Sequence, residues 1–156
     1  QLLSLYNKLA KYPFGKQVFS LAFGYFAPYF RTIKASVLDV KPGHASVSMP
    51  HRWSVQNHIK SVHAIAVCNL VEMTMGIVAE TTIPKNLRWI PKGMDIDYLK
   101  RADGTLTATV NVDPETIFKL DKYPGDVAIP VDVTDEKGVI VTSASVSLNS
   151  VNSLIV

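Results

Sequence analysis

Residues 61–78 read SVHAIAVCNLVEMTMGIV, and this run decides what kind of fold the chain adopts. Apolar residues occupy nearly every position, whereas a helix at a protein surface carries a single apolar stripe. Ser61 is a good N-cap, so the run predicts a helix that begins there and continues to about Thr82. We expect this helix to be buried on almost all sides.

Two strands are predicted before the buried helix. Residues 33–40 read as the first strand, and Lys41, Pro42 and Gly43 supply a turn. Apolar and polar residues then alternate from Ala45 to Met49, which is typical of a half-buried hairpin strand. One or two helices, ending near Ala27, are predicted ahead of both strands.

Four further strands are predicted after the helix, because apolar and polar residues alternate in four short runs. These runs cover residues 94–98, 106–112, 127–133 and 144–148. Two strands, one buried helix and four strands make an α+β protein in which an antiparallel sheet wraps around a helix. This is the hotdog arrangement. No repeat or linker divides residues 1–156, so we expect one domain, with a helical region at 1–31 and the core at 32–156.

Charge and cysteine content exclude several classes of protein. Sixteen basic residues against 13 acidic ones give a small positive balance without the clustering that nucleic-acid binding shows. Cys68 is the only cysteine, which rules out an internal disulfide and suits a reducing compartment such as the cytoplasm.

An uncharged stretch, Gln17–Phe30, contains six aromatic residues. It covers 14 residues, fewer than the roughly 20 that a helix needs to cross a bilayer, so we expect no integral membrane segment. The stretch suits a helix packed on the core, an acyl-chain pocket or an oligomer contact. A peripheral membrane anchor is less favoured, because basic residues do not line an opposite face.

Asn57, His63 and Glu72 are the candidates for chemistry. Glu72 is the only charged residue between Ser61 and Ala79, and burial requires it to be paired, protonated or held in a cavity. A structural ion pair, for example with Arg88, is as well supported by this argument as a catalytic role.

The spacing along the helix limits how these candidates can meet. His63 and Glu72 are nine residues apart, which places them on opposite faces and about 13 Å apart along the axis. One site could contain both only if two copies of the helix pack near a twofold axis. Gly76, one turn beyond Glu72, is expected to leave room for a close partner or for substrate.

The pattern of Asn57, His63-Ala64, Glu72 and Gly76 resembles that of hotdog thioesterases. That pattern is an Asn, then His-Gly-Gly, then Asp or Glu nine residues after the His, then a small residue. Residues 96–102 similarly resemble the strand motif that follows the helix in those proteins. The segments 57–58 and 61–64 resemble most closely a hotdog subgroup of unassigned function.

The resemblance implies an acyl-CoA or related acyl-thioester hydrolase, built as a homodimer or a dimer of dimers with sites at the subunit interface. Glu72 would act as general base or nucleophile, and the backbone N–H of Ala64 would stabilise the oxyanion. Asn57 would orient the water or the carboxylate, and His63 would polarise the carbonyl. The sequence departs from the family at Ala64 and Ile65, which replace the two glycines and narrow acyl access.

Basic residues after the helix could bind the phosphates of coenzyme A, although an ordinary solvated surface is the favoured explanation. They are Lys85, Arg88, Lys92, Lys100 and Arg101. The remaining histidines lack the spacing of metal ligands, so we expect neither a metal nor another cofactor. Two alternatives to hydrolysis stay open: a noncatalytic acyl-binding or structural protein, and a dehydratase, whose chemistry fits the His63 and Glu72 spacing less well.

Overall fold

The computed structural model of the chain describes residues 1–117 and 125–152. The order of two strands, a long helix and four strands is confirmed. The helices are α1 (Leu2–Leu9), α2 (Gly15–Phe26), α3 (Ala64–Thr82) and α4 (Pro114–Ile117), with 3-10 turns at Pro28–Ile33 and Trp53–Val55. The strands are β1 (Ser36–Lys41), β2 (His44–Met49), β3 (Leu87–Tyr98), β4 (Leu106–Asn111), β5 (Gly125–Thr134) and β6 (Ile140–Asn152).

All six strands form one antiparallel sheet in the order β1-β2-β4-β5-β6-β3, so β1 and β3 are its two edges. The alternating residues of the strands turn their apolar side chains toward α3, as Val47, Ala108 and Val131 do with no exposed surface. Helix α3 contacts every strand of the sheet. By length and composition α3 could cross a membrane, but most of it is enclosed by this sheet.

Three strands have other bounds than the prediction: β6 covers Ile140–Asn152 rather than 144–148, and β1 and β3 begin at other residues. Ile33 belongs to a 3-10 turn, and β1 begins only at Ser36. Strand β3 begins at Leu87 rather than near residue 94, because its pairing with β6 continues through a shift in register between Pro91 and Gly93. A proline and a glycine hide the strand from a search for alternation, yet a bulge accommodates both.

The predicted N-terminal helices are confirmed, and they pack through aromatic rings. Phe19 of α2 is buried, with its ring 5.1 Å from that of Tyr6 in an edge-on contact. Phe23 stacks between Phe19 and Phe30, at centroid distances of 6.3 and 5.9 Å. This cluster fixes α1 and α2 to each other, and α2 lies against β1.

Candidate functional site

Asn57 holds the loop that leads into α3. Its Oδ1 accepts hydrogen bonds from the backbone N–H groups of Ile59 (3.0 Å) and Ser61 (3.1 Å), and its Nδ2 donates to Ser61 Oγ (2.8 Å). The turn also requires a positive φ of 63° at Lys60. Asn57 therefore lies beside the start of the helix, as predicted, but three of its hydrogen bonds serve the loop.

His63, and not Ser61, is the N-cap of α3, so the predicted start of the helix was wrong. The Nδ1 atom of His63 accepts a hydrogen bond from the backbone N–H of Ile65 at 3.1 Å. Ser61 is unavailable as a cap because it is buried and bonded to Asn57. Since Nδ1 is an acceptor, the neutral ring carries its proton on Nε2. The side chain of His63 is exposed, so this N–H can meet a ligand.

The first turn of α3 has one backbone N–H group to spare. The N–H of Ile65 is bonded to His63 Nδ1, and those of Ala66 and Val67 donate to the His63 carbonyl at 2.9 and 3.2 Å. Within the described parts of the chain, the N–H of Ala64 has no acceptor. A free donor at the positive end of a long helix is suited to binding an anionic oxygen.

Glu72 is half-buried, and no hydrogen bond or ion pair to its carboxylate is found among residues 1–117 and 125–152. The suggested ion pair with Arg88 is therefore not formed. Glu72 lies eight residues into α3, about 12 Å along the axis from Ala64. A single chain accordingly brings Asn57, His63 and Ala64 together and leaves Glu72 apart from them.

Trp89 occupies the space beside Gly76. A Cβ atom at Gly76 would lie 3.3 Å from Cη2 of Trp89, whose Nε1 donates to Glu80 Oε1 at 2.9 Å. The room predicted at Gly76 for a substrate or partner is thus taken by a side chain of the same chain. The glycine lets β3 approach α3 closely at this point.

Tyr98 is a site neighbour that the sequence argument did not single out. Its hydroxyl donates to the carbonyl of Ala64 at 3.2 Å and lies 3.1 Å from Sγ of Cys68. Partial burial, followed by the hydrogen bond with Cys68, raises the pKa of Tyr98 to about 12. Cys68 is half-buried beside this hydroxyl. The available signal was the position of Tyr98 within the motif at residues 96–102.

The basic residues proposed for phosphate binding have three different surroundings. Arg88 lines a cavity of about 670 Å³ together with Lys85 and Trp89, at the C-terminal end of α3. Arg101 forms an ion pair with Asp103. Its guanidinium also donates to the carbonyl of Ile59, at 3.1 Å, and so supports the loop that carries Asn57. Lys100 is exposed.

A smaller cavity of about 210 Å³ opens beside the start of α3. Its walls include His63, Ile65 and Asn69, and Asn69 donates from Nδ2 to Thr32 Oγ1 at 3.1 Å. The sequence argument did not identify Asn69, which is polar but buried within the helix. In the part of the chain that is described, no three His, Cys, Asp or Glu side chains lie close enough together to hold a metal ion.

The fold is shared with several known proteins. A family model named Domain of unknown function (DUF4442) matches residues 15–149. The genomics protein APC5556 is 32% identical, with a TM-score of 0.82 over 97% of this chain and 99% of that one. PA5026 of Pseudomonas aeruginosa, a protein of unknown function and probable thioesterase, is 21% identical, with a TM-score of 0.74 over 80% and 87% of the two chains.

A further structure, thioesterase HI1161 from Haemophilus influenzae, is 12% identical, with a TM-score of 0.67 over 81% of this chain and 84% of that one. A search of curated proteins found no match. The structural likenesses confirm the hotdog fold that the sequence predicted.

Proposed function

We propose, given that this chain belongs to the DUF4442 family and has the hotdog fold, that it hydrolyses acyl thioesters such as acyl-CoA. The free N–H of Ala64 is the observation that carries the proposal, because it lies at the start of a long helix beside the exposed ring of His63. The description of PA5026 as a probable thioesterase and of HI1161 as a thioesterase agrees with this chemistry.

The two donors at the start of α3 fit the transition state of thioester hydrolysis. The N–H of Ala64 and the Nε2–H of His63 would donate to the thioester carbonyl oxygen. Attack of water on the carbonyl carbon places negative charge on that oxygen, and collapse of the tetrahedral intermediate breaks the C–S bond. The thiolate leaves and receives the proton that the general base removed from water. Charge develops where the helix dipole is most favourable to it.

Glu72 of a second copy would be the general base. Within one chain Glu72 lies about 12 Å along the axis of α3 from Ala64, too far for both to act on one substrate carbonyl. Among the described residues, Glu72 has no partner that would neutralise its charge. Strand β3 is a free edge of the sheet, and it touches α3 through Trp89 and Tyr98. Pairing β3 with the β3 of a second copy would bring two α3 helices side by side, so we propose a homodimer or a dimer of dimers.

Other side chains complete the proposed site. Asn57 keeps one Nδ2 hydrogen free of the loop bonds described above, and it could orient the attacking water or the carboxylate. Among Arg88, Lys100 and Arg101, Arg88 is the best placed to bind a phosphate of coenzyme A, because it lines a cavity, whereas Arg101 already forms an ion pair with Asp103. We place the protein in the cytoplasm, since the one thiol, at Cys68, is free.

Noncatalytic acyl binding is the second candidate, and the side chains after His63 favour it. Ala64 and Ile65 stand where hotdog thioesterases have glycines, and each adds bulk near the proposed oxyanion donor. The side chain of Ile65 is 57% exposed and lines the 210 Å³ cavity, so it narrows the approach without filling it.

Hydrolysis of a panel of acyl-CoA esters, from short to long chains and with aromatic acids, distinguishes the two candidates. Glu72→Gln keeps the shape of the side chain and removes the base, so we expect kcat/KM to fall by about 10²–10⁴. Glu115→Gln, which changes an exposed carboxylate of α4, is the matched control and should retain full activity. Light scattering would verify that all three proteins have the same mass in solution.

Each other outcome has a definite meaning. Unchanged hydrolysis by Glu72→Gln would exclude Glu72 as the base. Absence of hydrolysis by the wild-type protein on every ester, together with saturable binding of acyl-CoA, would support the noncatalytic candidate. A monomeric, active protein would contradict the proposal that the site requires a second copy.

A further inference from the structure

Helix α2 has an apolar face that no part of the described chain covers. Phe14, Val18, Leu21 and Tyr25 follow one another at intervals of four, three and four residues, the spacing of one helical stripe. These four side chains, which we call the α2 outer face, are between 50% and 77% exposed.

The α2 outer face takes no part in the packing of the core. The packing of α2 uses the opposite stripe, in which Phe19 and Phe23 contact Tyr6 and Phe30. An exposed stripe of four large apolar side chains on a folded protein indicates an interaction site. The α2 outer face is therefore a candidate binding surface for another molecule.

The surrounding charge indicates what kind of partner this is. Residues 1–38 contain five basic residues and no acidic one, whereas the rest of the chain has 11 basic and 13 acidic residues. The five are Lys8, Lys11, Lys16, Arg31 and Lys34. Residues 1–38 thus carry a charge of +5 and the remainder −2. An anionic surface is therefore complementary to this segment.

The basic and apolar side chains meet at one cavity. Leu21 of the outer face, Arg31 and Lys34 line an open cavity of about 660 Å³ between α2 and β1. The stem of Arg31 crosses Gly24, where a Cβ would lie 2.8 Å from Cγ of Arg31.

The outer face is separate from the proposed dimer contact. Helix α2 lies against β1, whereas the dimer proposed above uses β3, the other edge of the sheet. A second copy paired with β3 would thus dock at the sheet edge opposite to the one that α2 contacts.

We propose that the α2 outer face docks on an anionic phospholipid bilayer. The rings of Phe14 and Tyr25 and the side chain of Leu21 would enter the boundary between headgroups and acyl chains, where such residues are favoured. Arg31 and Lys34, which line the cavity beside Leu21, would contact lipid phosphates. The sequence argument disfavoured such an anchor because α2 has no basic opposite face. In the structure that opposite face is buried in the protein, so a basic stripe there is not required.

Co-sedimentation with vesicles tests the proposal on the full chain and without any measurement of hydrolysis. We expect binding to vesicles of phosphatidylcholine with 30% phosphatidylglycerol, and little binding to phosphatidylcholine alone. The variant Leu21→Gln with Tyr25→Gln should bind at least about tenfold more weakly. Arg31→Gln with Lys34→Gln should bind about 25-fold more weakly, since each basic residue near an anionic surface contributes about fivefold.

Ile140→Gln is the matched control, because Ile140 is an exposed apolar residue at the start of β6 and should not affect binding. Circular dichroism would verify that each variant is folded. Absence of vesicle binding by the wild-type protein would overturn the proposal, as would equal binding of the wild-type protein and the Leu21→Gln, Tyr25→Gln variant. A loss of oligomers in that variant, without vesicle binding by the wild type, would instead identify the outer face as a contact between copies.

Discussion

Replacing His63 with alanine should lower the free energy of unfolding by about 1 kcal/mol, and by no more than about 2. The substitution removes Nδ1, the acceptor for the N–H of Ile65, and leaves only water to satisfy that donor. The cost stays modest because His63 is exposed and its side chain fills no core volume. With a urea dependence of about 2 kcal/mol per molar, the unfolding midpoint should shift down by about 0.5 M.

His63→Asp separates the cap from the chemistry. Aspartate keeps an acceptor at the N-cap and adds a negative charge at the positive end of α3, so the urea midpoint should equal or exceed that of the wild type. The same variant lacks the Nε2–H donor and should hydrolyse thioesters more slowly. Midpoints are compared by circular dichroism at one protein concentration. The reasoning is refuted if His63→Ala unfolds at the wild-type midpoint, or if His63→Asp is as unstable as His63→Ala.

Two further predictions concern turns of the sheet. Gly43 and Gly138 have nearly the same φ, 72° and 75°, but a Cβ would lie 2.2 Å from the carbonyl oxygen of Val112 at Gly43 and would meet nothing within 4 Å at Gly138. Gly138→Ala should cost about 1–2 kcal/mol from backbone strain alone, and Gly43→Ala should lower the Tm much further or prevent folding; equal losses of Tm would contradict the contact. The backbone N–H of Thr105 holds the pKa of Glu136 below its ordinary value, so this carboxylate stabilises the fold fully above the unfolded pKa of about 4.3 and less as pH falls through the folded value. The difference in urea midpoint between wild type and Glu136→Gln should be constant from about pH 6 to 8 and shrink as the pH falls below about 4, and a difference that does not shrink in acid would argue against this bond.

The order of the elements was predictable because each strand shows its buried face in alternating residues. Val47 and Met49 on β2, like Val131 and Val133 on β5, are buried while their neighbours are not. The first half of β3 was not predicted, because a bulge between Pro91 and Gly93 interrupts the alternation of apolar and polar residues.

The site was predictable where it depends on local spacing and not where it depends on contacts across the fold. The positions of Asn57 and Glu72 relative to α3 follow from the sequence alone. The first residue of the helix does not follow from the sequence, because Ser61 is hydrogen-bonded to Asn57 and so cannot cap the helix. The contacts of Trp89 with Gly76 and of Tyr98 with Cys68 join residues that no helical or strand period relates.

The position of β6 in the sheet sets the order in which this protein can be completed during synthesis. Strand β6 lies between β5 and β3, and it is the last of the six strands to leave the ribosome. Tyr98 pairs with Thr142, and Trp89 with Ser150, so β3 must wait for more than 40 further residues before it can join the sheet. Such long-range pairing is slow and leaves strand edges open to other chains in the meantime. Because β3 brings both Trp89 and Tyr98 to α3, the wall of the proposed site on that side forms only when β6 arrives. A nascent chain in which α3 has already formed therefore still lacks a complete substrate site.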